Sequence, residues 1–153
     1  MIDTSGPALV AALDEGVTLF KPNLDELGGL VGKTLAGDAA CIAACRDLIV
    51  AGRSEAVALT LGDKGALLVT ARRVWKARPL DIEVLSTVGA GDSFVGGMVS
   101  ALAAGKPIEE AFRTGVAAGS AAVMSPGTEL CSEEDVKRLL PTVEIEEIAA
   151  ATA

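Results

Sequence analysis

Two kinds of pattern alternate along this chain: short runs of aliphatic residues typical of strands, and segments with the 3.6-residue period of helices. Residues 56–61 (AVALTL) and 65–70 (GALLVT) are of the first kind. Residues 38–52 are of the second kind, with apolar side chains recurring at three- and four-residue intervals. Such alternation predicts an α/β layer fold with a largely parallel sheet. The Gly62–Gly65 turn between the two aliphatic runs predicts one β-hairpin.

Finer expectations follow from the same patterns. Residues 82–85 (IEVL) are expected to form another short strand, and the tail from Ile145 is expected to be loosely held. Gly96 and Gly97 lie inside an apolar helical segment, where each glycine costs about 1 kcal/mol relative to alanine. Close packing of this helix on the sheet is preferred to contact with a ligand as the explanation for both glycines.

The length and charge of the chain limit what it can be. With 153 residues it is expected to be one domain. Its net charge of −8 and the lack of clustered basic residues argue against a nucleic-acid partner. No apolar stretch approaches the roughly 18 residues of a membrane span, and the N-terminus lacks the pattern of a signal peptide. The sequence therefore predicts a cytoplasmic protein with no membrane partner.

Histidine is absent, which excludes Ser-His-Asp catalysis, Cys-His catalysis and histidine-ligated zinc. Any proton transfer must therefore use a carboxylate, a lysine or the substrate itself. The cysteines, Cys41, Cys45 and Cys131, lack the spacing of a disulfide framework. Cys41 and Cys45 share a helical stripe with other apolar residues, so we interpret them as core residues rather than metal ligands.

Residues 89–92 (GAGD) form a glycine-rich turn before an apolar helical segment. Such a turn exposes backbone N–H groups that can bind a phosphate. It matches neither the dinucleotide fingerprint, which would need glycine at Phe94, nor a Walker loop, which would need a nearby lysine. Asp92 has two interpretations: a first-turn acid that stabilises the helix, or a general base beside a transferring phosphoryl group. The second requires a divalent cation to offset the repulsion between carboxylate and phosphate.

Residues 87–97 (TVGAGDSFVGG) resemble the signature of the PfkB, or ribokinase-like, family of ATP-dependent sugar kinases. Further segments resemble the family in the same order along nearly the whole chain: residues 3–9, 21–27, 60–70, 115–123 and 125–136. Within the family, the chain is most similar to the minor-type bacterial 6-phosphofructokinases. Fructose-1-phosphate kinases and tagatose-6-phosphate kinases are close relatives of that group.

The resemblance implies a ribokinase-like, three-layer α/β/α sandwich. Residues 1–153 are similar to its C-terminal, nucleotide-binding and catalytic portion, with a mostly parallel sheet plus a β-hairpin. The N-terminal half and the β-strand lid are expected to be absent. Because full-length members pair through the lid, a homodimer is implied for the complete protein, and the assembly of this portion is left open.

For the glycine-rich turn, the resemblance implies catalytic roles. Asp92 corresponds to the family's catalytic base. The amides of Ala90, Gly91 and Asp92 correspond to its anion hole, with Gly89 shaping the turn. The implied reaction is ATP-dependent phosphoryl transfer to a sugar phosphate, with fructose 6-phosphate as the first expectation. Fructose 1-phosphate or tagatose 6-phosphate is the alternative substrate, and a nucleotide-binding fragment without turnover of its own is a further alternative.

A second set of residues is implied in binding ATP and Mg²⁺. Asn23 and Glu26 match the family's Asn-x-x-Glu motif, which helps to place Mg²⁺ and the nucleotide phosphates, largely through water. From the residues alone, the same pair predicts a capping box at a helix N-terminus. The other ATP contacts implied by the resemblance are Lys21, Thr60, Gly62 and Gly65.

A monovalent-cation site found in some family members is the last implied feature. It is built from backbone carbonyl oxygens, and K⁺ is the expected ion. The corresponding positions here are Ser86, Val88, Ala122, Ser125 and Gly127.

Overall fold

A computed structural model describes residues 1–126 and 131–148. These residues divide into two compact units, Met1–Lys76 with the chain from Glu146 onward, and Ala77–Ile145. The α-helices are α1 (Gly6–Asp14), α2 (Leu24–Val31), α3 (Gly37–Val50), α4 (Ala90–Ala103), α5 (Ile108–Val123) and α6 (Glu133–Leu139). The strands are β1 (Val17–Phe20), β2 (Ser54–Thr60), β3 (Ala66–Thr70), β4 (Val74–Ala77) and β5 (Ile145–Ile148). Across these described ranges, no helix has both the length and the apolar character needed to cross a membrane.

The strands form one sheet in the order β1-β2-β3-β4-β5. β1 pairs with β2 in parallel, and Ile2 forms a further parallel bridge to Phe20 on β1. β2 pairs with β3 antiparallel through a short 3-10 turn, Gly62–Lys64. The Leu61 amide donates to the Gly65 carbonyl at 2.9 Å and closes this turn. The predicted hairpin is therefore confirmed, with parallel pairing at the β1 end of the sheet.

The core of the first unit is built mostly from aliphatic side chains, which are joined by Phe20. Leu13, Phe20 and Val57 are among its fully buried side chains. Cys41 and Cys45 lie in this core on α3, which confirms their interpretation as core residues. Burial raises the pKa of the Cys45 thiol to about 12, so this thiol stays neutral and behaves as a small apolar group.

Two expectations about local structure are wrong. Residues 82–85 form no strand, and Val84 and Leu85 in this segment are exposed. Ile145–Ile148, the first part of the expected loose tail, forms β5, the last strand in the sheet order, and residues 149–153 lie outside the described residues. Ile148 packs against the core of the first unit, and this contact stabilises a segment whose local sequence carries no strand signal.

In the second unit, α4 and α5 pack closely through glycine. A Cβ atom added to Gly97 would lie 2.8 Å from the Ala118 Cβ and 2.8 Å from the Thr114 carbonyl oxygen. Gly97 therefore packs against helix α5, and the expectation that it packs against the sheet is wrong. A Cβ at Gly96 would meet nothing within 4 Å, so no close contact explains this second glycine.

Candidate functional site

α4 begins at a glycine in a left-handed backbone conformation, at a turn with the features of an anion-binding site. Gly89 is the N-cap residue, with φ 79° and ψ −4°, a left-handed conformation that glycine adopts without steric cost. The amides of Ala90, Gly91 and Asp92 follow in the first turn, where backbone N–H groups have no acceptor inside the helix. The helix dipole adds partial positive charge at this end. This turn is thus suited to bind a phosphate oxygen.

The Asp92 carboxylate stands at the same turn without a structural partner. Its side chain is exposed, and it makes no hydrogen bond or ion pair with any residue that the structure describes. Gly89 rather than Asp92 is the N-cap, so Asp92 contributes to the helix only through the dipole, about 0.3–1 kcal/mol. The carboxylate therefore remains accessible to a bound molecule.

Helix α5 determines where the first turn of α4 lies. A Cβ added to Gly119 would lie 3.2 Å from the Ala90 carbonyl oxygen. A Cβ added to Gly115 would lie 3.0 Å from the Phe94 carbonyl oxygen and 2.6 Å from the Met98 Cγ. Both glycines therefore let α5 approach the α4 backbone closely, at the first turn of α4 and one turn further along.

The residues predicted for a monovalent cation lie on two neighbouring segments of the second unit. The Ser86 amide donates to the carbonyl of the last residue of α5 at 3.2 Å, and the Val88 amide donates to the Ser86 Oγ at 3.2 Å. Just past the end of α5, the Ser125 amide donates to the Ala122 carbonyl at 3.1 Å. These bonds bring four of the five positions together, and Gly127 lies outside the described residues.

In the first unit, α2 begins with the reciprocal hydrogen bonds of a capping box. The Asn23 Oδ1 accepts from the Glu26 amide at 2.8 Å, and the Glu26 Oε2 accepts from the Asn23 amide at 2.8 Å. The Thr60 amide donates to the Pro22 carbonyl at 3.0 Å, and Thr60 bridges Asn23 in parallel. The capping box is therefore confirmed and is held against the end of β2.

We expect Asn23→Ala to lower the free energy of unfolding by about 1 kcal/mol, because the Glu26 amide loses its side-chain acceptor. Urea denaturation followed by Trp75 fluorescence measures this change. Asn23→Asp is the matched control, since aspartate caps helices as well as asparagine does and should leave the midpoint near that of the wild type. Equal midpoints for the alanine variant and the wild type would show that the cap contributes nothing.

The other predicted nucleotide contacts lie in the first unit at the ends of strands. Lys21 directly follows β1, and Thr60 ends β2. Gly62 and Gly65 flank the hairpin turn with φ values of 63° and 89°, which only glycine adopts readily. The structure therefore brings these residues to the carboxyl end of two parallel strands, together with the capping box.

A residue that sequence reasoning missed is Asp3. Its Oδ1 lies 3.4 Å from the Nζ of Lys21, whose side chain is only 6% exposed. The signal that could have indicated Asp3 was its position in the chain, because Asp3 directly follows Ile2, the residue that forms a bridge to Phe20 on β1.

A cavity of about 440 Å³ lies in the second unit, between residues 78–82 and residues 138–144. No residue predicted for catalysis, nucleotide or metal binding lines it. The cavity therefore adds no support to the candidate site.

Comparison with known proteins identifies relatives over nearly the whole chain. The profile of one family, described as pfkB family carbohydrate kinase, matches residues 1–135. The ATP-dependent 6-phosphofructokinase isozyme 2 of Escherichia coli is 41% identical over 140 residues, which cover 91% of this chain and 45% of that protein. The 1-phosphofructokinase of Bacillus subtilis is 37% identical over 145 residues, which cover 95% of this chain and 47% of that protein.

Solved structures have the same fold. Phosphofructokinase-2 from Escherichia coli in complex with potassium matches with a TM-score of 0.86 at 41% identity, covering 90% of this chain and 45% of that chain. Another structure of that protein is its tetrameric inhibited form. Ribokinase from Thermotoga maritima matches with a TM-score of 0.72 at 29% identity, covering 80% of this chain and 42% of that one. These likenesses confirm the ribokinase-like α/β class.

The chain spans less than half the length of the curated relatives it matches, 45% and 47% of the two described above. Within that span, α4 begins at the glycine-rich turn and α2 begins at the capping box. Since the family profile matches 135 of the 153 residues, the chain belongs to the pfkB family of carbohydrate kinases.

Proposed function

We propose that residues 1–153 are the C-terminal, nucleotide-binding portion of a kinase domain that transfers a phosphoryl group from ATP to a sugar phosphate. The observation that carries the proposal is the first turn of α4, which combines backbone amides that have no acceptor within the helix with an accessible carboxylate, Asp92. A turn that only bound phosphate would gain nothing from a carboxylate that repels its ligand. A turn that transfers a phosphoryl group needs both the amides and the carboxylate, because the amides stabilise the charge of the transferring group and the carboxylate accepts a proton.

In this mechanism the Asp92 carboxylate accepts the proton of the attacking sugar hydroxyl. The hydroxyl oxygen bonds to the γ-phosphorus as the bond from that phosphorus to the β–γ bridging oxygen breaks, and ADP leaves. The amides of Ala90, Gly91 and Asp92 donate to the oxygens of the transferring group and stabilise its charge. Gly89 supports this step because its left-handed backbone conformation shapes the turn.

For Mg²⁺ we propose a water-mediated site at Asn23 and Glu26. The Glu26 Oε2 is bonded to the Asn23 amide, and the second carboxylate oxygen has no partner among the described residues. Carboxylate oxygen suits Mg²⁺, which usually keeps several waters, so this pair fits the ion. When bound, Mg²⁺ offsets the negative charge of the phosphates. The remaining nucleotide contacts of the proposal are Lys21, Thr60, Gly62 and Gly65.

For K⁺ we propose the backbone carbonyls around Ser86, Val88, Ala122 and Ser125. The hydrogen bond from the Ser86 amide to the end of α5 supports this site, because it holds two carbonyl-bearing segments side by side. Carbonyl oxygens can replace the hydration shell of K⁺. The potassium complex of the Escherichia coli relative is consistent with the choice of ion.

Fructose 6-phosphate is the proposed sugar, since a 6-phosphofructokinase and 1-phosphofructokinases are among the relatives. Fructose 1-phosphate and tagatose 6-phosphate are the alternatives. We place the protein in the cytoplasm, where ATP and phosphorylated sugars are available. For the complete protein we propose a homodimer. One structure of the Escherichia coli relative is a tetrameric inhibited form, so that relative does not by itself favour a dimer.

Calorimetric titration of the 153-residue chain with ATP tests the nucleotide site. We expect saturable binding that is at least about tenfold tighter with Mg²⁺, because the cation screens the phosphates from Glu26. Glu26→Gln is the matched variant, since glutamine also completes a capping box but carries no charge. It should lose most of the Mg²⁺ effect while its urea midpoint stays close to that of the wild type. No saturable heat from a folded chain would refute the nucleotide site.

The chain's limited coverage of its relatives favours a second candidate, a nucleotide-binding portion that has no turnover by itself. Under this candidate the 153-residue chain binds ATP but phosphorylates no sugar. Adding the N-terminal portion of the Escherichia coli relative, made as a separate polypeptide, should then restore kinase activity. Turnover by the 153-residue chain alone would exclude this candidate.

A further inference from the structure

Lys21 is unusual among the charged residues of this chain. Of the charged side chains in the described ranges, it alone is buried, with 6% exposure. Burying an ammonium group is unfavourable unless a counter-charge accompanies it. That counter-charge is the Asp3 carboxylate, 3.4 Å from the Nζ, whose side chain is itself only 26% exposed.

The backbone places these two residues side by side. The Ile2 amide donates to the Leu19 carbonyl at 2.9 Å, and the Lys21 amide donates to the Ile2 carbonyl at 3.1 Å. Ile2 therefore forms an isolated parallel bridge to Phe20, and Asp3 and Lys21 are the next residues on the two paired segments. Lys21 directly follows β1, so both residues lie at the carboxyl end of these parallel segments, where open α/β sheets bind their ligands.

The same edge continues into the proposed nucleotide site. Pro22 joins Lys21 to Asn23 and accepts the hydrogen bond of the Thr60 amide at 3.0 Å. The capping box then holds Asn23 at the start of α2. Lys21 is thus separated from the capping box by a single residue, Pro22, whose carbonyl is hydrogen-bonded. Its side chain forms an ion pair with Asp3.

We infer that Asp3 is a positioning residue for the phosphate chain of ATP and that it acts through Lys21. This inference rests on the nucleotide site proposed above. A lysine side chain has four rotatable bonds, and an unpaired one would lose that freedom on meeting a phosphate. The Asp3 carboxylate fixes the ammonium group in advance at the strand edge, so the contact to phosphate forms with less loss of side-chain entropy.

An ion pair that only stabilises the fold is the competing explanation. That explanation predicts that replacing Asp3 weakens the binding of AMP, ADP and ATP equally, or leaves all three affinities unchanged. A positioning role predicts a loss that depends on how many phosphates the ligand carries. Titration with AMP, ADP and ATP therefore separates the two explanations.

We expect Asp3→Asn in the 153-residue chain to weaken Mg-ATP binding about tenfold, the effect of one charge-assisted contact. AMP binding should change by less than about twofold, because AMP lacks the outer phosphates. Asp14→Asn is the matched control: it removes an ion pair to Arg53, 2.9 Å long, at an exposed site of the same unit. This control should leave all three affinities unchanged.

A double-mutant cycle completes the test, since Asp3 is proposed to act through Lys21. Lys21→Met should weaken ATP binding, and adding Asp3→Asn to it should weaken binding no further. If Asp3→Asn alone does not fold, as judged by Trp75 fluorescence, Asp3→Glu keeps the charge but displaces the ammonium group. Asp3→Glu should show the same phosphate-dependent loss in weaker form.

Unchanged ATP affinity in a folded Asp3 variant overturns the inference, and so does an equal loss for AMP and ATP. Additive effects of Asp3→Asn and Lys21→Met overturn it as well. A wild-type chain that binds no ATP is a different result, because it refutes the proposed nucleotide site and with it the basis of this inference.

Discussion

Asp92→Asn should lower kcat by about 10²–10⁴-fold, the usual contribution of a general base. Asparagine has nearly the shape of aspartate and leaves the amides of the first turn in place, but it cannot accept the proton of the sugar hydroxyl. Affinity for Mg-ATP should change by less than about threefold, since the lost interaction belongs to the transition state. Steady-state kinetics with ATP and fructose 6-phosphate measure both, in a chimera that joins the N-terminal portion of the Escherichia coli relative to residues 1–153.

Glu109→Gln is the control for this experiment. Glu109 is also an acid in the first turn of a long helix, α5, and has no assigned role in the reaction. Its replacement tests whether loss of a first-turn charge by itself alters kcat. Near-normal turnover by the Asp92 variant, or an equal loss in the Glu109 variant, would contradict the assignment of Asp92 as the base.

Gly97→Val should lower the free energy of unfolding by about 3 kcal/mol, at the upper end of what overpacking costs. The first added carbon would already lie 2.8 Å from both the Ala118 Cβ and the Thr114 carbonyl oxygen. Neither atom can rotate away, because one is an alanine methyl group and the other is backbone. The helices must therefore separate, and every contact between them is weakened. Urea denaturation of the 153-residue chain measures the loss.

Gly96→Val is a closely matched control, one residue away in the same helix. A Cβ at this position would meet nothing within 4 Å, so valine should be tolerated. Its effect should be a small gain of a few tenths of a kcal/mol, because valine has a higher helix propensity than glycine. Similar midpoints for the two valine variants would show that close packing at Gly97 does not hold α4 and α5 together.

Local sequence signals were sufficient to predict several elements of the structure. The capping box was predictable because Asn23 and Glu26 interact across a single helical turn. The hairpin was predictable because its turn lies between two aliphatic runs that pair with each other. The family signature around Asp92 indicated the fold class, since it is a local pattern as well.

Features that depend on distant residues could not be predicted in this way. β5 forms because Ile148 packs on a core contributed by residues far earlier in the chain. The partner of Gly97 is α5, and no local pattern distinguishes a helix from a sheet as the surface that a glycine contacts. Asp3 lies in one of the segments that resemble the family, but no role was predicted for it, because periodicity does not reveal the bridge between Ile2 and Phe20 that places it beside Lys21.

The short distance between Gly119 and Ala90 limits how this chain can diverge during evolution. Any side chain at Gly119 would press on the carbonyl of Ala90, 3.2 Å from the added carbon, and so on the turn proposed to hold the phosphoryl group. Gly119 is thereby restricted by packing, although it is not itself proposed to contact a ligand. Gly96, on the open side of the same helix, is under no such restriction. Substitutions should therefore accumulate slowly along the α4–α5 contact and quickly across the opposite face of α4.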